Sequence, residues 1–162
     1  DCRPLGKPVA FWQQMYGYDN AVREPTAEEA RTHTWLTIVT GGMLIYWFIY
    51  KPMSRSFWEA MPQIASEVKQ LQSLLTADDA IELAVGREGN VHYAFWRAEG
   101  KDVLLVVNAG YTFARVPIFA RWILKREVEV ADLIVGNNVV TVEGGLVWAQ
   151  MPLLSAGAFA LY

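Results

Sequence analysis

Residues 41–50 read GGMLIYWFIY, and Lys51 and Pro52 close the stretch. Two glycines open it, and the eight residues that follow are all aromatic or aliphatic. A strand with one face in water would alternate apolar with polar residues, and this stretch does not. The pattern therefore predicts a strand that is covered on both faces, as in a parallel sheet.

A membrane-spanning helix is the alternative for this region. When residues 35–40 are added, the largely apolar run reaches 16 residues. A bilayer core needs about 20 residues in a helix, and Gly41 and Gly42 interrupt the run. A buried strand is therefore favoured, and anchoring to a membrane through residues 35–50 is the weakest of three functional hypotheses.

The composition excludes several classes of protein. Hydrophobic residues make up 53% of the 162-residue chain and charged residues 19%, which excludes disorder. The apolar excess indicates surface that is covered by something outside this chain. The net charge is -3 without a basic cluster, so a nucleic-acid partner is not expected. Cys2 is the only cysteine, which excludes an internal disulfide and a thiolate metal cluster.

No cofactor or metal site is predicted either. His33 and His92 are far apart in the sequence and lack acidic neighbours at ligand spacing, so both are interpreted as structural. Gly41 and Gly42 lack the third glycine of a dinucleotide-binding motif.

The first part of the chain predicts alternating strands and helices. A strand covers residues 9–17, and a helix follows in which Thr26 and Glu29 form a capping box. Gly41 and Gly42 end that helix and lead into the central strand.

A second capping box, Ser56 with Glu59, is predicted to open a longer helix that runs to Leu75. Pro62 lies inside it and predicts a kink or a displaced start. Residues 1–75 are therefore predicted to form two βα units, without the partner strands that would complete a sheet.

From residue 76 the pattern changes to short strands separated by turn residues. These strands predict an antiparallel sandwich in residues 76–162. They are expected at residues 80–86, 91–97, 103–108, 112–118, 127–135, 139–143, 146–151 and 158–162.

The order of these pieces resembles a known family. It is similar to the last two βα units of a (β/α)8-barrel glycoside hydrolase of the kind followed by a β-sandwich. The resemblance implies an α/β part followed by an all-β part, namely strands seven and eight of a TIM barrel with their helices, then an antiparallel β-sandwich. The matching segments are residues 7–9 with Gln14, 23–31, 41–47, 57–59, 67–71 and 151–162.

The resemblance implies part of a glycoside hydrolase acting on an oligo- or polysaccharide. Many such barrels carry a catalytic acid at the end of strand seven, where this chain has Gln13 and Gln14. The hydrolytic acids are then expected on strands outside this chain, which supplies a cleft wall and a supporting sandwich. A non-catalytic carbohydrate-binding or scaffold subunit is the alternative. The location stays undetermined, with a secreted or periplasmic one favoured.

A quarter of a barrel leaves strand edges and helix faces bare, so a stable monomer is not expected. The remaining units would come from another chain, with a higher oligomer as one form, or from another fragment of a nicked or split enzyme.

The candidate substrate-binding residues lie where barrel strands end. Gln14 is expected either to bond a sugar hydroxyl or to satisfy loop backbone. Tyr16, Tyr46 and Trp47 are candidates too, with Tyr46 and Trp47 either a stacking platform for a pyranose or barrel core. Asp19, in the following loop, either reaches the substrate or is a solvated carboxylate.

Other aromatic residues are interpreted as packing residues. Trp12 is expected to pack rather than bind. Tyr93, Phe95 and Trp96 either form a carbohydrate-binding face on the sandwich or divide between its core and its contact with the barrel.

Overall fold

The computed structural model describes residues 8–17, 23–48, 54–119, 128–134, 136–143 and 146–162. Two helices and ten strands lie in these ranges, and the first four elements alternate as the sequence predicts. They are β1 Ala10–Gln14, α1 Ala27–Val39, β2 Leu44–Phe48, α2 Arg55–Leu75, β3 Ile81–Glu88, β4 Val91–Ala98, β5 Lys101–Asn108, β6 Ala114–Ile118, β7 Val130–Ile134, β8 Val139–Glu143, β9 Leu146–Met151 and β10 Ser155–Leu161.

The first two strands form a parallel pair, in which Ala10 lies opposite Leu44 and Gln14 opposite Phe48. Helix α1 connects them, as a parallel pair requires. Gly42 allows the chain to turn closely from α1 into β2, because a Cβ there would lie 3.0 Å from the Thr37 carbonyl oxygen. The β–α–β order predicted for this region is therefore present.

One of the two predicted helix caps is confirmed and the other is wrong. Thr26 and Glu29 form the capping box at the start of α1. Helix α2 starts at Arg55, one residue before the predicted cap Ser56, because Ser54 caps the helix by accepting a hydrogen bond from the Phe57 amide at 3.2 Å. Pro62 lies inside the helix, so the helix does not start at that residue.

The remaining strands form two antiparallel sheets, in the orders β3-β4-β5-β10-β7 and β6-β9-β8. A cluster of buried side chains joins one face of each sheet, with Phe95 and Phe159 among its largest members. Tyr93 packs against this cluster, whereas Trp96 packs against the cluster on the opposite face of the larger sheet. These aromatic residues thus divide between two packed clusters.

Helix α1 packs between the parallel pair and the larger sheet. Trp35 and Val39 of α1 and Leu71 of α2 are buried against the face of the five-stranded sheet that points away from the smaller sheet. The buried carboxylate of Glu67 on α2 accepts hydrogen bonds from Arg31 Nε at 2.7 Å and from Trp35 Nε1 at 3.0 Å. The two helices and the larger sheet therefore share one core.

No helix within the described ranges is long and apolar enough to cross a membrane.

Candidate functional site

The parallel pair is covered on one face only among the described residues. Helices α1 and α2 lie against Phe11, Gln13, Ile45 and Trp47, which are half-buried. The opposite face is exposed, so the prediction of a strand covered on both faces is met on one side alone. This aromatic face, as we call it, consists of Ala10, Trp12, Gln14, Leu44, Tyr46 and Phe48.

The rings of the aromatic face touch one another instead of a core. Trp12 is 72% exposed, and its ring centroid lies 5.4 Å from that of Tyr46 and 6.2 Å from that of Phe48. Tyr16 sets its ring edge-on to Phe48 at 5.3 Å. The result is a continuous aromatic surface along two strands, of the kind that marks a binding or docking site.

Three predicted residues lie on or beside this face. Gln14 and Tyr46 belong to it, and Gln14 Nε2 donates to the Tyr16 carbonyl oxygen at 3.0 Å. Because Gln14, Tyr16 and Phe48 lie at the carboxyl ends of the two strands, they form its upper edge. Tyr46 pairs with Trp12 one layer below.

Trp47 lies on the other side of the strand. Its indole Nε1 donates to Thr34 Oγ1 at 3.2 Å, and its ring packs against the cluster that includes Met15 and Phe57. The structure therefore separates Trp47 from Tyr46, since adjacent residues of a strand point to opposite faces. Asp19 lies outside the described residues.

Gln13 faces the helices and is fully engaged there. Its Nε2 donates to the His33 carbonyl oxygen at 2.9 Å and to Thr37 Oγ1 at 2.5 Å, while its Oε1 accepts from Thr34 Oγ1 at 3.1 Å. Of the two neighbouring glutamines, Gln14 alone presents its side chain to the aromatic face.

Sequence reasoning assigned Trp12 to packing and gave Phe48 no role, yet both lie on the exposed face. The signal was the two-residue period of a strand. Trp12 precedes Gln14 by two residues, and Phe48 follows Tyr46 by two.

The aromatic face can bind but has no acid of its own. A flat ring suits the C–H face of a pyranose, and the Gln14 amide is able to exchange hydrogen bonds with a hydroxyl. Glycoside hydrolysis needs two carboxylates in most families, and none of the six residues of the face carries one. The described residues also contain no group of three potential metal ligands.

Two grooves flank the parallel pair. One, of about 840 Å³, lies beside β1 and α1 and includes Phe11, Leu36, His33 and His92 in its lining. The other, of about 710 Å³, lies beside the start of β2 and the end of α2 and includes Ile45, Val68 and Leu75. Both histidines line the first groove, although they are far apart in the sequence.

A buried carboxylate joins the start of α1 to the β5–β6 loop. Glu29 accepts hydrogen bonds from both terminal nitrogens of Arg23, at 2.6 Å and 2.5 Å, and from the Tyr111 hydroxyl at 2.6 Å. The Arg23 hydrogen bonds lower the pKa of Glu29 to about 2, against the opposing effect of burial, and those from Tyr111 and the Thr26 amide add to the lowering.

This pKa predicts a loss of stability in acid. A carboxylate with a depressed pKa in the folded state stabilises it fully above its unfolded pKa, near 4.5, and progressively less as the pH falls toward 2. Glu29→Gln is expected to lower the melting temperature at pH 7, and the difference from the original chain should shrink toward pH 2. Thermal melts across pH 2–7 measure this.

Glu59 provides the matched control. It is an exposed residue of α2 that pairs with Arg55 at 2.6 Å. Exposed ion pairs contribute little, so Glu59→Gln should change the melting temperature much less at every pH. Equal effects of the two substitutions would contradict the assigned role of Glu29.

No protein-family model matches this sequence, and no curated protein matches it. Solved structures do match the fold. A family 30 subfamily 8 glycoside hydrolase, the xylanase Xyn30A from Clostridium acetobutylicum, matches with a TM-score of 0.61 at 14% identity, over 99% of this chain and 44% of that one. The α-amylase from Geobacillus thermoleovorans matches with a TM-score of 0.65 at 9% identity, over 96% and 39% of the two chains.

The α-fucosidase from Thermotoga maritima also matches, with a TM-score of 0.55 at 11% identity, over 97% of this chain and 40% of that one. The chain thus spans about two fifths of the length of the structures it matches. Because the identities are low, the likeness concerns the fold and not the reaction. The chain has a glycoside hydrolase-like fold.

Proposed function

We propose that this chain is the C-terminal part of a (β/α)8-barrel glycoside hydrolase that acts on an oligo- or polysaccharide. Residues 1–75 would supply barrel strands seven and eight with their helices, and residues 76–162 a β-sandwich. The observation that carries the proposal is the aromatic face: a parallel pair covered by helices outside and bare within.

The layering of the aromatic face fits the inside of a barrel. Inward side chains of a (β/α)8 barrel stack in layers, and bulky apolar residues fill them. Here β1 contributes Ala10, Trp12 and Gln14 to the face, and β2 contributes Leu44, Tyr46 and Phe48. Because adjacent strands of such a barrel contribute to alternate layers, each strand would supply three inward positions. Two exposed strands of an ordinary soluble domain would carry polar residues at these positions.

The outer edges of β1 and β2 support the proposal that further barrel strands extend the sheet on both sides. Among the described residues, β1 and β2 pair only with each other, which leaves one edge of each strand without a partner. One groove lies beside β1 and α1, and another lies beside the start of β2 and the end of α2. Neighbouring βα units would fill these grooves. Covering edges and grooves in this way removes the liability of bare strand edges.

The substrate cleft would lie at the upper edge of the aromatic face, since active sites of these barrels lie at the carboxyl ends of the strands. Gln14 would hydrogen-bond a sugar hydroxyl, and Tyr16 and Phe48 would bound the sugar ring. The two catalytic carboxylates would come from the other strands. The sandwich would support the barrel through the core around Trp35.

A non-catalytic carbohydrate-binding or scaffold role is the second candidate. The absence of a carboxylate from the aromatic face favours it, because the face as described can hold a sugar but not cleave it. Sugar binding by the 162-residue chain alone would support this role.

The test is to isolate the protein from its source under native conditions. We expect the chain to be accompanied, covalently or as a complex, by about 200 or more further residues, since the other six units of a barrel have about that length. The preparation should release reducing sugar from soluble xylan, starch or an aryl fucoside.

Three outcomes separate the candidates. Hydrolysis that Gln14→Ala reduces at least tenfold supports the cleft assignment, since tenfold corresponds to about 1.4 kcal/mol, the size of one hydrogen bond to substrate. Sugar binding without hydrolysis favours the second candidate. A native particle that contains only this chain as a stable, cooperatively melting monomer would overturn the barrel proposal.

A further inference from the structure

One hydrogen-bonded network joins the sandwich to the ends of the two loops that follow β1 and β2. At its sandwich end, the Tyr111 hydroxyl on the β5–β6 loop donates to Glu29 Oε1 at 2.6 Å. Glu29, in the first turn of α1, also accepts from Arg23 and, through Oε2, from the Thr26 amide at 2.8 Å. Arg23 and Thr26 lie where the loop after β1 ends and α1 begins. The Tyr111 hydroxyl therefore contacts the end of that loop through one buried carboxylate.

The network continues to the loop after β2. Arg23 Nη1 donates to the Glu24 carbonyl oxygen at 3.1 Å as well as to Glu29. The Glu24 carboxylate accepts a hydrogen bond from the Ser54 amide at 2.9 Å, and Ser54 is the N-cap of α2, where the loop after β2 ends. The Glu24–Ser54 and Glu29–Tyr111 hydrogen bonds join residues 30 and 82 positions apart, so one network spans both loop ends and the sandwich.

Both loops leave the parallel pair on the side of the proposed cleft. Because β1 and β2 are parallel, the loops that follow them start at the same edge, which carries Gln14 and Phe48. In a (β/α)8 barrel the loops after the strands build the active site. A small displacement of a segment that positions the substrate lowers the reaction rate steeply, because the reacting groups must be held in one geometry. A contact that fixes these loops therefore affects how substrate is held.

We propose that Tyr111 is a positioning residue, through which the sandwich fixes the helix ends of the two cleft-side loops. The inference rests on the proposed function for its effect on substrate, and on the hydrogen bonds alone for its effect on the loops. Tyr111 is 65% exposed, so its hydroxyl provides a directed contact and its ring contributes little to a core. The acceptor is a carboxylate, and hydrogen bonds to ionised groups are stronger than those between neutral groups.

Tyr111→Phe in the complete protein tests the inference, because it removes the hydroxyl and keeps the ring. Amide hydrogen exchange, measured by mass spectrometry, should become about threefold or more faster around Thr26 and Ser54, since each of those amides bonds to a carboxylate of the network. With the polysaccharide that the protein hydrolyses, KM should rise about threefold or more and kcat should stay within about twofold, the pattern of weakened substrate binding.

Tyr162→Phe is the matched control. Tyr162 is 52% exposed, and it follows β10 at the end remote from the β5–β6 loop, because Ser155 at the other end of β10 lies opposite Asn108. Removing the Tyr162 hydroxyl should change neither KM nor hydrogen exchange at the two loop ends. Thermal melts of both variants show whether they are folded.

The outcomes separate this inference from the proposed function. Unchanged exchange around Thr26 and Ser54 in Tyr111→Phe would overturn the positioning role, whether or not the protein is an enzyme. A lower melting temperature without a change in exchange or KM would give Tyr111 a structural role alone and would also overturn it. If the complete protein hydrolyses no polysaccharide, the proposed function fails, and faster exchange in Tyr111→Phe would still support the positioning of the two loops.

Discussion

Replacing Trp35 with alanine is expected to lower the free energy of unfolding by about 3–5 kcal/mol, the usual cost of a large-to-small change at a buried aromatic residue. Trp35 is fully buried where α1, α2 and the five-stranded sheet meet. The cavity would open in the core that joins the two helices to the five-stranded sheet. Urea unfolding followed by circular dichroism measures the change.

Trp35→Phe separates ring packing from hydrogen bonding. Phenylalanine keeps most of the apolar contact but removes the Nε1 hydrogen bond to Glu67, which would then retain Arg31 as its charged partner. Leaving a buried acceptor without one of its donors costs about 1–3 kcal/mol. The free energy of unfolding of Trp35→Phe should therefore lie between that of Trp35→Ala and that of the original chain. A loss below about 1 kcal/mol for Trp35→Ala would contradict the shared core.

The elements were predictable where residue pattern and local geometry agree. Thr26 and Glu29 are three residues apart, and that spacing alone sets up the capping box that the structure contains. The start of α2 was not predictable in this way. Ser54 and Ser56 are both able to cap, and Ser54 has a further contact, a hydrogen bond from its amide to the Glu24 carboxylate at 2.9 Å, that joins residues 30 positions apart.

The aromatic face shows what could not be predicted from the residue pattern. An unbroken apolar strand indicates that both faces will be covered, but it does not say that the covering residues lie in the same 162 residues. Likewise, the sequence gives no sign that Glu29 meets Tyr111, because that contact depends on how α1 packs against the β5–β6 loop. Long-range contacts of this kind decide which candidate residues share a site, and single-sequence patterns do not record them.

Placing a charge at Tyr46 is expected to have opposite consequences in the natively purified protein according to whether the aromatic face stays in water or lies inside a barrel. Tyr46 is 48% exposed at the centre of the aromatic face. If the face stays in water, Tyr46→Glu should change the free energy of unfolding by no more than about 0.5 kcal/mol, as is usual for exposed positions. If the other barrel strands cover this face, the same carboxylate is buried without a partner and should cost more than about 4 kcal/mol.

Val85→Glu serves as the control, because Val85 is 41% exposed on β3, an edge strand of the five-stranded sheet. That substitution should be tolerated in either case. Urea unfolding of the natively purified protein, unaltered and with each of the two substitutions, gives the three values needed. The difference between the two positions isolates the burial of the aromatic face from any general sensitivity to added charge. A natively purified protein that tolerates Tyr46→Glu as well as Val85→Glu would mean that the face stays in water, and Trp12, Tyr46 and Phe48 could not then be the interior of a barrel.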